Sequence, residues 1–297
     1  MDQFQVRPVR REELADVQDA QFEALSDMHR RHGLPLPPAP TALSPLLVHL
    51  FEHHGGGGFF VAEAEGRVVA LMIGLLREGN WFLSSFWCRP AWQGKGVGAA
   101  LREAMRPVVA AADVACVYAS YDPPAMSTYQ KLGMWARAPF FRFALPDGLR
   151  VAPGPAWGGA VRQIDALSAA DLEAVGSLDR AVRGCRRDLD HQFILAQPGT
   201  RLLLFERKDR LAAYAWTWKG GRIGPAAAAD PADMPAVLAT AASGSEAQPV
   251  LQVPGDNVAA VSWCLDQGFR ITDHALFFSN KPFGQFDRYI ITNPGLL

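Results

Sequence analysis

The stretch CRPAWQGKGVGAALREAM, residues 88–105, contains glycines at three alternate positions, Gly94, Gly96 and Gly98. Glycine has no side chain, so the main chain there can approach a ligand closely. The loop follows an apolar segment and opens a segment with helical spacing, and the first N–H groups of a helix have no partner within that helix. These N–H groups and the positive end of the helix dipole would together bind an anion such as a phosphate.

This glycine pattern differs from two well-known nucleotide loops. It contains neither GxGxxG, the dinucleotide fingerprint, nor GxxxxGK[ST], the P-loop. A glycine-rich turn without a ligand is the alternative for an isolated GxG, because short motifs often match by chance. The surrounding residues must therefore decide between the two interpretations.

The segments around the loop predict an α/β order. The apolar run 82–88 precedes the loop as a strand, and Val97, Leu101, Met105 and Val108 then fall on one helical face, which Pro107 should kink or end. Strands are further predicted at 4–8, 59–66, 67–79, 114–121 and 140–145, and helices at 12–31, 43–54 and 126–132. This order contains one parallel crossover.

The chain also repeats itself. The clearest repeat is a spacing of 3, 4 and 4 residues, found at Asp122, Ala125, Tyr129 and Gly133 and again at Asn257, Ala260, Cys264 and Gly268. The segment 146–159 between the two copies is rich in proline and glycine, which is typical of a linker. We therefore predict domains at 1–145 and 160–297.

Composition narrows the function classes. The chain has 297 residues and a formal net charge of −1, so its overall field favours neither nucleic acid nor an anionic membrane. Its four cysteines form no CxxC pair, which argues against a zinc site or a disulfide framework. We see no signal peptide, and the longest aliphatic run, 68–76, is about half of the ~20 residues that a membrane span needs. We expect a cytoplasmic monomer or homodimer without nucleic-acid or membrane partners.

The residues around the glycines resemble the GNAT superfamily of acyl-CoA-dependent N-acyltransferases. Its signature V-x-P-x-x-Q-G-x-G-x-G corresponds to CRPAWQGKGVG here, and its N-x-x-A-x-x-x-Y-x-x-x-G-F corresponds to DPPAMSTYQKLGM. The resemblance covers residues 4–145 and departs from the signature at Cys88, Asp122 and Met134. It implies an α/β (α+β) fold of two tandem GNAT domains, each a mixed, splayed β-sheet flanked by helices.

The resemblance also implies an acetyl-CoA site. The pantetheine arm would lie in a V-shaped opening between the fourth and fifth strands, paired with main-chain groups of Trp87 and Cys88, and the pyrophosphate would bind the amides from Gly94 to Ala99. The implied cofactor-binding residues are Trp87, Cys88, Gln93, Gly94, Lys95, Gly96, Val97, Gly98, Ala99 and Asp122.

Transfer of an acetyl group to an amine needs a neutral amine, a polarised thioester carbonyl and a proton for the departing thiolate. Tyr129 matches the family's general acid in position. No carboxylate lies on the predicted fourth strand, so Glu78, Ser85 and Glu63 stay open as weak candidates for the base. The five histidines between residues 29 and 54 fall in loops and at a polar helix end, and we expect no metal.

The second copy lacks the glycine loop. Asp230, Asp233 and Pro235 stand where Gln93, Gly96 and Gly98 do in the first copy, and Cys264 replaces the tyrosine. A carboxylate beside a pyrophosphate is repulsive by up to about 4 kcal/mol at about 4 Å, whereas a helix terminus attracts an anion by only about 0.3–1 kcal/mol. We therefore predict a degenerate second domain that binds no acetyl-CoA.

The sequence favours an N-acetyltransferase that moves an acetyl group from acetyl-CoA to a primary amine of a small molecule by direct attack. An acyl-CoA-binding sensor without turnover and a protein-lysine acetyltransferase are the alternatives.

Overall fold

The computed structural model describes residues 3–120, 122–245 and 247–297, and these form two compact units. Residues 3–117 and 122–134 belong to the first unit, and residues 118–120 and the described part of 135–297 belong to the second. No helix in the described ranges combines the length and the apolar character that crossing a membrane requires.

The first unit is a sheet with helices. Its strands are β1 (Gln5–Pro8), β2 (Phe59–Ala64), β3 (Arg67–Arg77), β4 (Asn80–Cys88) and β5 (Val114–Ser120, of which the last three residues belong to the second unit). Its helices are α1 (Leu14–Arg31), α2 (Pro45–His53), α3 (Val97–Ala110) and α4 (Pro123–Lys131). The strands lie in the order β1-β2-β3-β4-β5, and every neighbouring pair is antiparallel except β4 and β5, which are parallel.

Local sequence explains these elements. The hairpin from β3 to β4 turns at Glu78 and Gly79, whose φ angles of +46° and +82° suit a tight two-residue turn. The predicted helical face of α3 is buried at Val97, Leu101 and Met105. Helix α3 continues past Pro107 to Ala110, so the proline lies inside its last turn and does not end it.

The second unit has a similar composition of elements. Its strands are β6 (Trp135–Ala144), β7 (Ala160–Ile164), β8 (Thr200–Arg207), β9 (Arg210–Trp218), β10 (Arg222–Ala228), β11 (Val250–Pro254), β12 (Arg270–Ser279) and β13 (Tyr289–Ile290). Its helices are α5 (Ala169–Arg183), α6 (Asp188–Leu195), α7 (Met234–Ser243) and α8 (Val258–Asp266). The strand order is β12-β6-β11-β10-β9-β8-β7, with β13 beside β10.

Strand β6 lies in the second unit although it precedes the segment predicted to link the copies. It pairs antiparallel with two strands. The ladder with β11 runs from Val250–Ala144 to Pro254–Phe140, and the ladder with β12, on the other edge, runs from Arg270–Ala144 to Ser279–Trp135. The compact units therefore divide the chain before β6, whereas the sequence repeat divides it at residue 145. The ranges 1–145 and 160–297 stay a prediction for the two sequence copies.

The proline- and glycine-rich segment 146–159 packs against the second unit. The Ala152 N–H donates to Gln267 Oε1 at 2.7 Å, and the Trp157 indole N–H donates to the Glu206 carbonyl at 3.1 Å. A Cβ added at Gly154 would lie 2.5 Å from the Cβ of Ala239 on α7, so only glycine fits there. The composition of a linker thus belongs here to a segment that contacts the second unit at Ala152, Gly154 and Trp157.

Candidate functional site

Strands β4 and β5 part halfway along β4. Their parallel pairing runs from Asn80–Val114 to Leu83–Val117 and ends there. At the same point β4 carries one extra residue relative to β3, because Gly74 pairs with Leu83 and Ile73 with Ser85, which leaves Ser84 as a bulge. Beyond the bulge, residues 85–88 keep their pairing with β3 but form no ladder with β5 in the described part of the chain. We call residues 85–88 the free edge.

The ladder with β3 fixes which residues offer main-chain groups at the free edge. The Arg89 N–H donates to the Val69 carbonyl at 2.9 Å, so these two residues form a hydrogen-bonded pair. Hydrogen-bonded and non-hydrogen-bonded pairs alternate along an antiparallel ladder. The N–H and C=O groups of Trp87 therefore point toward β3, and those of Phe86 and Cys88 point away from it. The main-chain role that the resemblance implied for Trp87 therefore passes to Phe86 in the proposal below. Sequence alone gave no sign of this, because the bulge sets the alternation.

The glycine loop offers unpaired amides. Among the residues that the structure describes, the N–H groups of Gly94, Gly96, Val97 and Gly98 have no hydrogen-bond acceptor, whereas that of Ala99 donates to the Gly96 carbonyl at 3.0 Å. Gly94 and Gly96 have φ angles of +77° and +85°, which other residues rarely adopt, and a Cβ at either would meet nothing within 4 Å. The loop thus presents exposed N–H groups at the start of α3, as an anion site requires.

The loop is connected to the free edge in two ways. The Gln93 side-chain amide donates to the Cys88 carbonyl at 3.1 Å, and a Cβ at Gly98 would lie 3.2 Å from the ring of Phe86. The third glycine therefore serves close packing of α3 on β4. Lys95 lies within the same loop, with its Nζ 4.9 Å from the centre of the Trp92 ring.

Tyr129 and Asp122 both belong to the α4 region of the first unit. The Tyr129 side chain is buried, with 8% of its surface exposed, and burial and the negative charge of Asp122 raise its pKa above the ordinary value. Asp122 stands at the N-terminus of α4, and its carboxylate accepts from Arg31 Nη1 at 3.2 Å and lies 3.4 Å from His32 Nε2. The Asp122 side chain is thus directed toward the end of α1.

The candidate bases are not brought together. Glu78 is exposed in the turn before β4, about 26 Å from the far end of that strand at about 3.3 Å per residue. Glu63 on β2 accepts from Arg7 Nε at 2.9 Å. Ser85 is buried on the free edge, next to the bulge. Of the three, only Ser85 lies where β4 and β5 part.

Half-buried Cys88 has no sign of nucleophilic activation. Burial raises the pKa of its thiol to about 11, so the thiol stays protonated at neutral pH. This agrees with a role for Cys88 through its main chain, as the resemblance implies.

The second unit repeats the parting of the strands but not the loop. β10 and β11 pair in parallel at Arg222–Val250 and Ile223–Leu251, and a bulge follows on β10. Residues 229–233 alone separate β10 from α7, whereas residues 89–96 separate β4 from α3. The second copy therefore has a shorter connection, without room for the glycine loop.

The acidic residues of that shorter connection already have partners. The Asp230 carboxylate accepts from the Ala232 N–H at 2.9 Å, and Asp233 is paired with Arg207 at 2.8 Å. Cys264, which stands in the position of Tyr129, is fully buried, and burial raises the pKa of its thiol. The position of the first unit's tyrosine thus holds a buried thiol, and both carboxylates of the connection already accept hydrogen bonds.

Comparisons with known proteins agree with this repeat. A sequence profile of the Acetyltransferase (GNAT) family matches residues 20–134, and a profile of an Acetyltransferase (GNAT) domain matches residues 175–280. A search of curated protein sequences finds no match.

Solved structures share the fold at low sequence identity. A candidate acetyltransferase from Pyrococcus horikoshii superposes with a TM-score of 0.76 at 16% identity, over 99% of this chain and 96% of that one. A GCN5-related N-acetyltransferase from Sphaerobacter thermophilus gives 0.60 at 12% identity, over 94% and 96%. A tandem GNAT protein of the clavulanic acid biosynthesis pathway gives 0.59 at 15% identity, over 94% and 99%. The two profile matches and the shared fold lead to one conclusion: the chain belongs to the GNAT acetyltransferase family and carries two GNAT domains in tandem.

Proposed function

We propose that the first unit is an N-acetyltransferase that moves an acetyl group from acetyl-CoA to a primary amine of a small molecule. The observation that carries the proposal is the meeting of two features. Within the described residues, the N–H groups of Gly94, Gly96, Val97 and Gly98 at the start of α3 have no acceptor, and the free edge of β4 precedes them in the chain. Acetyl-CoA has a pyrophosphate, which matches the amides, and an extended pantetheine arm with amides of its own, which matches the free edge.

The glycine loop would bind the pyrophosphate. The helix dipole favours an anion at this position by about 0.3–1 kcal/mol. Each hydrogen bond from an unpaired N–H to the charged phosphate adds about 1.5–3 kcal/mol. Lys95 adds a positive charge in the same loop. The open space beside Gly94 and Gly96 lets the phosphate oxygens approach the main chain.

The free edge would bind the pantetheine arm. Phe86 and Cys88 direct main-chain groups away from β3, and the arm's amides can pair with them as a further strand would. The Cys88 carbonyl already accepts from Gln93, so its N–H is the group left for the arm. Gln93 thus acts as a positioning residue that holds the loop against the strand.

Tyr129 would give a proton to the thiolate that leaves when the amine attacks the thioester carbonyl. Its raised pKa keeps the phenol protonated at working pH, which is the form that an acid needs. The same shift makes proton transfer to a free thiolate unfavourable, so we expect the proton to move as the carbon–sulfur bond breaks. Glu78 lies in the turn at the end of β4 that is away from the glycine loop, so we do not assign it as the base. The amine is expected to enter neutral or to lose its proton to water.

Release of free CoA from acetyl-CoA, followed with a thiol reagent across a panel of small primary amines, tests the proposal. We expect turnover with at least one amine, abolished in Gly96→Asp and lowered in Tyr129→Phe. Binding of acetyl-CoA without release for any small amine would favour the sensor. Release with a lysine-containing protein alone would favour the protein-lysine acetyltransferase.

A further inference from the structure

In the second unit, the segment Tyr289–Ile291 fills the opening between β10 and β11. Tyr289 and Ile290 pair antiparallel with Ala227 and Ala226 of β10, on the edge opposite β9. The Ile291 N–H donates to the Gln252 carbonyl of β11 at 3.2 Å. All three residues of the segment are fully buried. A stretch of the chain itself therefore joins the two strands where they part.

The position of this segment corresponds to the free edge of the first unit. Ile223 is the last residue of β10 that pairs with β11, as Leu83 is the last of β4 that pairs with β5, and a bulge follows in both strands. Counted from these residues, Ala226 takes the place of Phe86. The Ala229 N–H donates to the Ala212 carbonyl at 2.7 Å, so these two residues form a hydrogen-bonded pair with β9. Because such pairs alternate with non-hydrogen-bonded ones, the main-chain groups of Ala226 point away from β9 and toward Ile290.

The side chain of Asn257 recognises the segment. Its Nδ2 donates to the Tyr289 carbonyl at 3.2 Å, and its Oδ1 accepts from the Ala260 N–H at 3.0 Å as the cap of α8. Asn257 is fully buried. The corresponding residue of the first unit is Asp122, whose carboxylate has no N–H to donate.

Gly224 lets the segment Tyr289–Ile291 pass close to the main chain of β10. A Cβ on Gly224 would lie 2.3 Å from the Ile291 carbonyl oxygen, and the φ angle there is +131°. The bulge of the first unit instead carries Ser84, which has a side chain. The second unit therefore has no side chain at the point where its own segment passes.

We propose that Tyr289–Ile291 is a built-in peptide ligand of the second unit. It occupies, through main-chain hydrogen bonds to both strands and one side-chain amide, the opening that the first unit leaves for an extended molecule with amides. The second unit consequently takes no external ligand in this opening. The occupancy of the opening between β10 and β11 does not depend on what the first unit binds. A result that contradicts the proposed function would therefore leave this proposal unchanged.

Amide hydrogen exchange on the full chain, without added ligand, tests the occupancy. The amides of Ile290 and Ile291 should exchange at least a hundredfold more slowly than the amides of the exposed residues Lys281 and Gly284 in the neighbouring loop. Exchange at the rate of that loop would overturn the proposal, because an internal ligand must be bound most of the time. The wild-type protein suffices for this measurement.

The variant Asn257→Asp tests the recognition. It keeps an oxygen that can cap α8 and removes the N–H that donates to Tyr289. The amides of Ile290 and Ile291 should exchange at least tenfold faster than in the wild type, while the Ala260 amide stays protected. Asn293→Asp is the matched control, because the Asn293 side chain accepts from the Gly295 N–H at 2.8 Å and donates to no group in the described part of the chain, so an aspartate can replace it. Unchanged exchange of Ile290 and Ile291 in a folded Asn257→Asp protein would overturn the role of Asn257.

Discussion

The side-chain amide of Gln93 donates a hydrogen bond to the carbonyl oxygen of Cys88 at 3.1 Å. This contact joins the two parts of the proposed acetyl-CoA site, because Gln93 belongs to the glycine loop and Cys88 to the free edge of β4. It also uses the Cys88 carbonyl and leaves the N–H of the same residue available. The loop and the edge therefore act as one surface in the first unit.

Gln93→Ala should weaken acetyl-CoA binding without abolishing it. The substitution removes one hydrogen bond, which is typically worth about 1 kcal/mol, so we expect the dissociation constant to rise about fivefold in calorimetry. Gln93→Glu should weaken binding further, because a carboxylate repels both the Cys88 carbonyl and the pyrophosphate. Gln130→Ala, an exposed position on α4, is the control. Equal affinity in wild type and Gln93→Ala would mean that the loop needs no such support.

Tyr129→Phe should lower kcat at least tenfold with an amine substrate and leave the dissociation constant of acetyl-CoA nearly unchanged. A phenol that protonates the leaving thiolate stabilises the transition state and does not strengthen the binding of acetyl-CoA in the ground state. Steady-state kinetics and calorimetry on the same preparation separate the two quantities. A rise in the dissociation constant that matches the fall in kcat/KM would instead assign Tyr129 to cofactor binding.

The pH dependence of stability should report the buried phenol. The pKa of Tyr129 is raised in the native state, so its stabilising contribution is fully present below the unfolded value of about 10 and is lost as pH rises through the native pKa. The difference in unfolding free energy between wild type and Tyr129→Phe should be constant from pH 6 to 9 and fall above pH 10. Urea unfolding at several pH values measures it, and a difference that varies between pH 6 and 9 would contradict the shift.

Asp122→Asn should cost little stability. The Arg31 side chain is 41% exposed and that of Asp122 15%, so solvent screens their ion pair and we expect a loss of about 0–1 kcal/mol. The loss should shrink when the salt concentration rises from 50 to 500 mM. Asp147→Asn, an exposed carboxylate without an ion pair in the described ranges, is the control. A loss above about 2 kcal/mol that salt leaves unchanged would show that Asp122 has a buried role.

Local sequence predicted the elements around the site well. The apolar spacing of Val97, Leu101 and Met105 indicated the buried face of α3, and the glycines indicated a loop at its start. Pro107 does not end α3, which continues for three more residues to Ala110. Short-range signals of this kind depend on residues close together in the chain.

Long-range pairing could not be predicted in the same way. The residues of β6 read as a strand, but nothing in them indicates that both edges pair with β11 and β12. A fragment ending at residue 150 would leave both edges of β6 unpaired, so it is a poor test of the first domain. The bulge at Ser84 and the insertion of Tyr289–Ile291 likewise follow from register, which emerges only when the sheets form.

Calorimetric titration of the full chain with acetyl-CoA counts its binding sites. We expect one site per chain, because the first unit has exposed amides and a free edge whereas the opening of the second is filled by Tyr289–Ile291. Gly96→Asp should weaken that site at least tenfold, since it places a negative charge beside the pyrophosphate, and Gly96→Ala separates this effect from the strain of a φ angle of +85°. Two sites of similar affinity, or unchanged affinity in Gly96→Asp, would contradict the account.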